Sequence, residues 1–354
     1  MRKRLELVQA YRGIVAILIL VSHVSIIMHD YTATFDFFYL IGRSGGVDFF
    51  FTLSGFLIYY VYSGYQGNKA KIVAFVEKRC LRIFPLVWFF TLLSLPVYAV
   101  FNTIGNGNEL NVTVIVKSLF LIPQREPVLG ATWSLSHIIL FYMFFALYMF
   151  YPKVMKYIVA VYACLILLKA VLGYAPSGEI IKSILSPYNL NFAAGALCAY
   201  FVLRYGSKIG YTAITAGISG FLLNWLFHYY NLTMVPLEPI YLLSSICLLY
   251  GASKIDGIKK LPKIFDILGD ASYSIIITNL PITIMCSKLM EKLGLFGLIG
   301  FPLSVVAVLL VSTIGGVVAY YLVEKPLAAK ITQMYYNLKN HRVFRYRSET
   351  LDQR

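Results

Sequence analysis

A handful of residues have the types and spacing to do chemistry inside an apolar chain. His23 lies in the apolar run from Gly13 to Ser25, eleven residues beyond Arg12. At ~1.5 Å rise per residue, a helix would set the two about 16 Å apart. Arg12 can then sit at one membrane face while His23 lies past the midplane. An imidazole titrates near neutrality, so it serves as a base where Lys or Asp would need large shifts. A lone histidine in a helix can equally be structural. Asp48 lies near the start of a second apolar run, within GVDFFFTLSGFL at 46–57. An antiparallel neighbour would bring it to roughly the depth of His23. A His–carboxylate pair there would fix the imidazole tautomer and raise its basicity. The competing reading is that Asp48 caps its helix N-terminus, where negative charge is favourable.

Two further groups stand out. Arg79 and Arg82 lie three apart in EKRCLRIFP at 77–85. On a helix they share a face and make a fork for phosphate oxygens. Basic residues at a cytoplasmic mouth also follow from topology alone. Trp133 and His137 fall in TWSLSH at 132–137. A tryptophan at an interface is an anchor in the simplest case, and His137 beside it could line a cavity.

These residues must be positioned by membrane helices. Of 354 residues, 59% are apolar and 13% charged, with mean hydropathy +0.73. Soluble domains hold roughly 45–50% apolar and about 25% charged residues. The balance excludes a soluble enzyme, a disordered chain and a coiled coil. It predicts an all-α, polytopic membrane protein, because the apolar runs are longer than the alternating segments of about ten residues that a barrel needs. About ten transmembrane spans are expected, at 11–29, 46–63, 82–101, 130–150, 156–173, 189–204, 209–229, 237–253, 266–286 and 299–322. Segment 112–123 is apolar but too short to cross, and reads as an interfacial or re-entrant piece.

The net charge is +15. In a soluble protein that would raise nucleic acid as a partner. Here it fits lipid head groups and cytoplasmic loops, and no nucleic acid is expected. With the N-terminus inside, 24 of the 31 Lys+Arg fall on the cytoplasmic side and 7 do not, Arg43 among the latter. That asymmetry places both termini in the cytoplasm. Residues 331–354 form a basic cytoplasmic tail behind a membrane domain at 1–330. Five scattered cysteines without a CxxC imply neither a disulfide frame nor a metal site. Arg2, Lys3 and Arg4 precede an apolar run without a small-residue cleavage site, so that run reads as a retained first span.

Together these segments resemble the acyltransferase family 3 membrane proteins, which O-acylate envelope polysaccharides and related acceptors. Arg12 and His23 match the family's basic residue, ten-residue gap and histidine. GVDFFFTLSGFL is similar to its GV-x-FF-x-LSGFL stretch, and Arg79 to Pro85 to its R-x-x-R-I-x-P element. TWSLS with Phe141 and Tyr142 resembles its WSL-x-x-E-x-x-FY signature. SYSI at 272–275 and EKP at 324–326 resemble two late elements. The match spans residues 7–326 in order. It departs twice: Ile138 stands where the signature has glutamate, and Asn279 where the late element continues to histidine.

The resemblance implies a ten-helix core in a bacterial plasma membrane and a cytoplasmic acyl-CoA donor, usually acetyl-CoA. It implies a hydroxyl acceptor on an extracytoplasmic or lipid-linked glycan. Arg79 and Arg82, with Arg12, would hold the coenzyme's phosphates. His23, with Asp48, would serve as general base or transient acyl carrier. Trp133 and His137 would meet the acceptor. The rival class is a transporter or flippase of a lipid-linked sugar, which intramembrane His and Asp also suit. The sequence sets no oligomeric state.

Overall fold

Backbone N–H and C=O groups in hydrocarbon must pair within their own segment, so long apolar runs fold as helices. The computed structural model describes residues 4–29, 31, 44–101, 105, 107–206, 209–230, 232, 237–255 and 261–337. Among them there are helices and turns and no strand. In chain order the helices are α1 (Glu6–His29), α2 (Gly46–Tyr62), α3 (Lys69–Val100), α4 (Val112–Leu119), α5 (Trp133–Phe150), α6 (Pro152–Val171) and α7 (Glu179–Ile184). They continue with α8 (Tyr188–Arg204), α9 (Gly210–Tyr229), α10 (Leu237–Lys254), α11 (Lys263–Lys292), α12 (Leu295–Ile299) and α13 (Phe301–Ala319). The last helix passes through a π-helical turn, Tyr320–Glu324, and runs on to Asn337.

Each predicted span falls on one of the longer helices. Among the described residues, six segments are both long and apolar enough to cross a bilayer: Glu6–His29, Lys69–Val100, Gly130–Phe150, Pro152–Val171, Lys263–Lys292 and Phe301–Asn337. This is an all-α membrane protein. Helices α2, α8, α9 and α10, shorter or more polar, coincide with the other four predicted spans. The short apolar segment at 112–123 forms α4, which packs against α3, and Trp88 Nε1 donates to Leu119 O at 2.8 Å.

Two boundaries differ from the sequence reading. Span three, expected to begin at 82 after a loop, begins at Lys69, with Asn68 Oδ1 accepting from Lys71 N at 3.1 Å. The run Glu77 to Arg82 ends the apolar pattern without ending the helix, because charged residues are good helix formers. Arg79 and Arg82 therefore lie within a 32-residue helix. At the other end, the expected boundary at 330/331 falls inside the helix that reaches Asn337. Residues 338–354 lie outside the described residues, as does Arg43.

The principal helix pairs are α1 with α11, α2 with α8, α9 with α10, and α11 with α13. The α2/α8 contact depends on small residues: a Cβ on Gly195 would stand 1.9 Å from Thr52 O, and one on Gly55 would stand 2.1 Å from Phe192 O. Backbones meet there as at other small-residue membrane contacts. One apolar core, around Ile19, Phe49, Leu249 and Ile275, joins α1, α2, α8, α9, α10 and α11. A second, around Phe51, Leu86, Leu135 and Ile277, joins α2, α3, α5 and α11.

Candidate active site

Helices α1 and α11 run parallel, and polar contacts climb along them in register. Gln9 Nε2 donates to Asp270 Oδ1 at 2.9 Å, and Arg12 Nη2 to Ser272 Oγ at 3.5 Å. Higher up, His23 Nδ1 lies 2.7 Å from Asn279 Oδ1, and Ser287 Oγ lies 3.3 Å from Met28 Sδ. The one helix pair thus carries both the arginine and the histidine singled out by sequence.

At the lower end a cavity of about 430 Å³ is lined by Arg12, Lys78, Arg82, Asp270, Glu324 and Lys325 among others. Arg12 Nη1 donates to Gln9 Oε1 at 2.9 Å, and its charge lies within reach of Arg82, Asp270 and Glu324. Glu324 ends the π-helical turn, where an extra residue per turn redirects side chains. It is buried and accepts from Ser274 Oγ at 2.6 Å. The two late sequence elements, SYSI and EKP, therefore meet through this bond.

Arg79 and Arg82 do not share the cavity. The Arg79 guanidinium sits over the rings of Tyr62 (5.5 Å), Phe75 (5.7 Å) and Tyr142 (5.6 Å). Its Nε is buried without a hydrogen-bond partner. Three residues of helix leave about 60° between side-chain directions. That is enough to send Arg82 to the cavity and Arg79 between α2 and α5.

The expected His23–Asp48 pair is not formed. Gly46 packs on the backbone of α1, where a Cβ would stand 2.9 Å from Ile19 N, and Phe49 meets Tyr11 at 5.4 Å between ring centroids. Helix α2 is therefore antiparallel to α1. From the Gly46–Ile19 level, Asp48 lies two residues down and His23 four residues up, about 9 Å apart along the axis. Asp48 occupies the first turn of α2, where its charge is favourable, and its Oδ1 accepts from Asn191 Nδ2 of α8 at 2.9 Å.

His23 takes Asn279 as its partner instead. An amide oxygen only accepts, so Nδ1–H of the ring donates and Nε2 keeps its lone pair. Asn279 is fully buried, and its Nδ2 has no partner. His23 itself retains partial accessibility.

Trp133 and His137 do come together, with Tyr188 and Phe51. Trp133 meets His137 at 5.8 Å and Tyr188 at 5.5 Å between centroids. His137 Nδ1 lies 3.1 Å from Asn189 Oδ1. Asn189 Nδ2 in turn donates to Ser183 O at 2.8 Å, Ile184 O at 2.9 Å and Tyr162 OH at 2.9 Å. Ile138, next in sequence, faces the second apolar core with Ile83, Leu86, Tyr273 and Ile277. Asn189 and Asn191 escaped the sequence reading, and Glu324 entered it only as part of a family element without a site role. Two asparagines within an apolar span were the available signal, since buried amides in a membrane are costly unless used.

Residues 8–321 match the family model described as an acyltransferase domain. The chain is similar to the "Exopolysaccharide production protein ExoZ" of Rhizobium meliloti (strain 1021). The two are 27% identical over 296 residues, covering 80% of this chain and 89% of that protein. No solved structure matches.

Proposed function

This chain belongs to acyltransferase family 3, and from that premise we propose that it transfers an acyl group, acetyl, from cytoplasmic acyl-CoA to a hydroxyl of an extracytoplasmic or lipid-linked polysaccharide. Placement supports the reading. Arg12 and His23 ride on one helix, about 16 Å apart by helix rise, and Arg12 lines a cavity with three further cations, Lys78, Arg82 and Lys325. Acyl-CoA supplies a thioester and several phosphates. Those four side chains would hold the phosphates through charge-assisted bonds. The cavity's 430 Å³ lies within the roughly 300–1,000 Å³ of small-molecule sites. Asp270 and Glu324 line the same cavity and offset part of that positive charge, and Ser274 tethers Glu324.

His23 acts through Nε2. Asn279 takes the Nδ1 proton in a 2.7 Å bond and so fixes the tautomer, as the carboxylate does in a triad. As the free lone pair takes the proton of the acceptor hydroxyl, the hydroxyl oxygen attacks the thioester carbonyl, the C–S bond breaks, and the imidazolium returns the proton to the departing CoA thiolate. Transient acylation of His23 would use the same lone pair. Trp133 and Tyr188 offer ring faces to a sugar, and His137 offers a hydrogen-bond acceptor. A relative whose name assigns it to exopolysaccharide production supports a polysaccharide acceptor. The setting is a bacterial plasma membrane with the N-terminus in the cytoplasm.

The observation that carries the proposal is the His23–Asn279 bond on the same helix pair that lines the charged cavity. It is tested by incubating membranes holding wild-type or His23→Ala protein with radiolabelled acetyl-CoA and envelope polysaccharide. Loss of a general base predicts a fall of about 100-fold or more in transfer, with expression and insertion unchanged. Wild-type transfer by His23→Ala overturns it.

A further inference from the structure

Helix α6 leans on the rest of the protein mainly through its far half. Tyr162 stacks on Phe144 at 5.1 Å and accepts from Asn189 Nδ2, while Lys169 Nζ donates to Leu185 O at 3.2 Å. Along the whole helix only Met155 and Ile166 are buried. Between α5, α6 and α8 this leaves a cleft of about 440 Å³. Phe144 and Phe145 of α5, Val159 of α6, and Ala193, Ala196 and Leu197 of α8 give it apolar walls, and the two alanines deepen its floor.

Its length and its charge identify an occupant. The lining on α8 runs from Asn189 to Tyr200, eleven residues or about 16 Å of helix. That is half of a ~30 Å hydrocarbon core, the depth of one leaflet. Positive charge stands at one end. Lys156 lines the mouth, and Arg204 donates to the hydroxyl of Tyr200, which also lines it. Both cations are exposed, and no carboxylate lines the cleft. This end adjoins the turn between α2 and α3, where Gly67 N donates to Met149 O at 2.9 Å. It thus lies on the face to which the Lys+Arg count assigns the cytoplasm.

We propose that the cleft holds one acyl chain of an anionic phospholipid from the cytoplasmic leaflet, its phosphate lying between Lys156 and Arg204. The chain replaces packing that α6 does not supply, and the head group joins α6 to α8 at the end opposite the Asn189–Tyr162 bond. The site is separate from the cavity of Arg12 and Arg82, and the proposal stands whatever the acyl acceptor is.

The test is lipid retention. Protein purified in detergent is placed in nanodiscs of equal parts phosphatidylglycerol and phosphatidylcholine, then released for native mass spectrometry. Wild type should retain one phosphatidylglycerol about tenfold over phosphatidylcholine, as attraction of a net negative head group, rather than a zwitterionic one, to two surface cations implies. Lys156→Gln combined with Arg204→Gln should keep a lipid but lose the preference. Ala193→Trp should retain none. Equal retention of the two lipids by wild type, no retained lipid at all, or an unchanged preference in the double variant overturns the proposal. If Ala193→Trp fails to fold, the double variant decides, because both of its side chains are exposed.

Discussion

Two histidines in this protein each donate Nδ1–H to an asparagine oxygen, and the two asparagines differ. Asn189, beneath His137, has its amide nitrogen engaged by two backbone carbonyls and a tyrosine hydroxyl. Asn279, beneath His23, is just as buried and its nitrogen meets nothing. A buried polar network with every group paired rigidifies a wall. A buried donor left unpaired costs about 1–3 kcal/mol, and such costs collect where structure is held for a purpose other than stability. On the proposed reading, His137 belongs to a fixed wall and His23 to the centre whose unpaired neighbour is kept for chemistry.

The largest effect that would break this contrast is kinetic. His23→Ala should lower acyl transfer by about 100-fold or more, while His137→Ala should lower it by less than about tenfold, chiefly through a raised KM for the acceptor. Equal losses would erase the distinction. Next comes Ile138, packed against α3 and α11 between the two regions. Ile138→Glu places a carboxylate in an apolar core and should cost about 3 kcal/mol of stability, read from unfolding in detergent. Unchanged stability would mean that a cation of α3, Arg79 or Arg82, turns to meet it.

Smaller effects separate the asparagines. Asn189→Ala strips partners from His137 and two carbonyls and should cost about 2 kcal/mol. Asn279→Leu removes an unpaired group along with one bond, so stability should change by less than about 1 kcal/mol while turnover falls. A larger stability loss from Asn279→Leu would reverse the assignment. The smallest contrast is between the arginines. Arg82→Ala should raise the KM for acyl-CoA about tenfold with the fold intact. Arg79→Ala should leave that KM unchanged and cost about 1 kcal/mol of stability, the worth of a guanidinium among aromatic faces.

Much of the fold was legible because apolar length is a strong constraint in hydrocarbon. Each long helix covers an apolar run that composition alone marks out. The start of α3 was hidden, since Glu77 to Arg82 looks like a loop to hydropathy and a helix to the backbone. The site was legible in part. Arg12 and His23 share one helix and Arg82 meets Arg12 at one cavity, but the partners of His23 and Asp48 were not legible. Depth alone placed Asp48 level with His23, whereas the seat of Gly46 on Ile19 sets the register and sends Asp48 to Asn191. That contact joins residues 143 apart in sequence. Asn279 was visible only as a departure from a family pattern, and its meaning depends on which helix lies beside it.

Helix α1 runs unbroken from Glu6 to His29, with no proline or π-helical turn in it. Neither of these devices breaks the helix between Arg12 and His23, so it sets the spacing of the two residues. On the proposed reading, a donor anchored by its phosphates at Arg12 presents its reactive carbonyl at His23 only if its own span agrees. Every acyl-CoA has the same arm between phosphates and carbonyl, so on that reading the helix would separate CoA thioesters from shorter carriers and not one acyl chain from another.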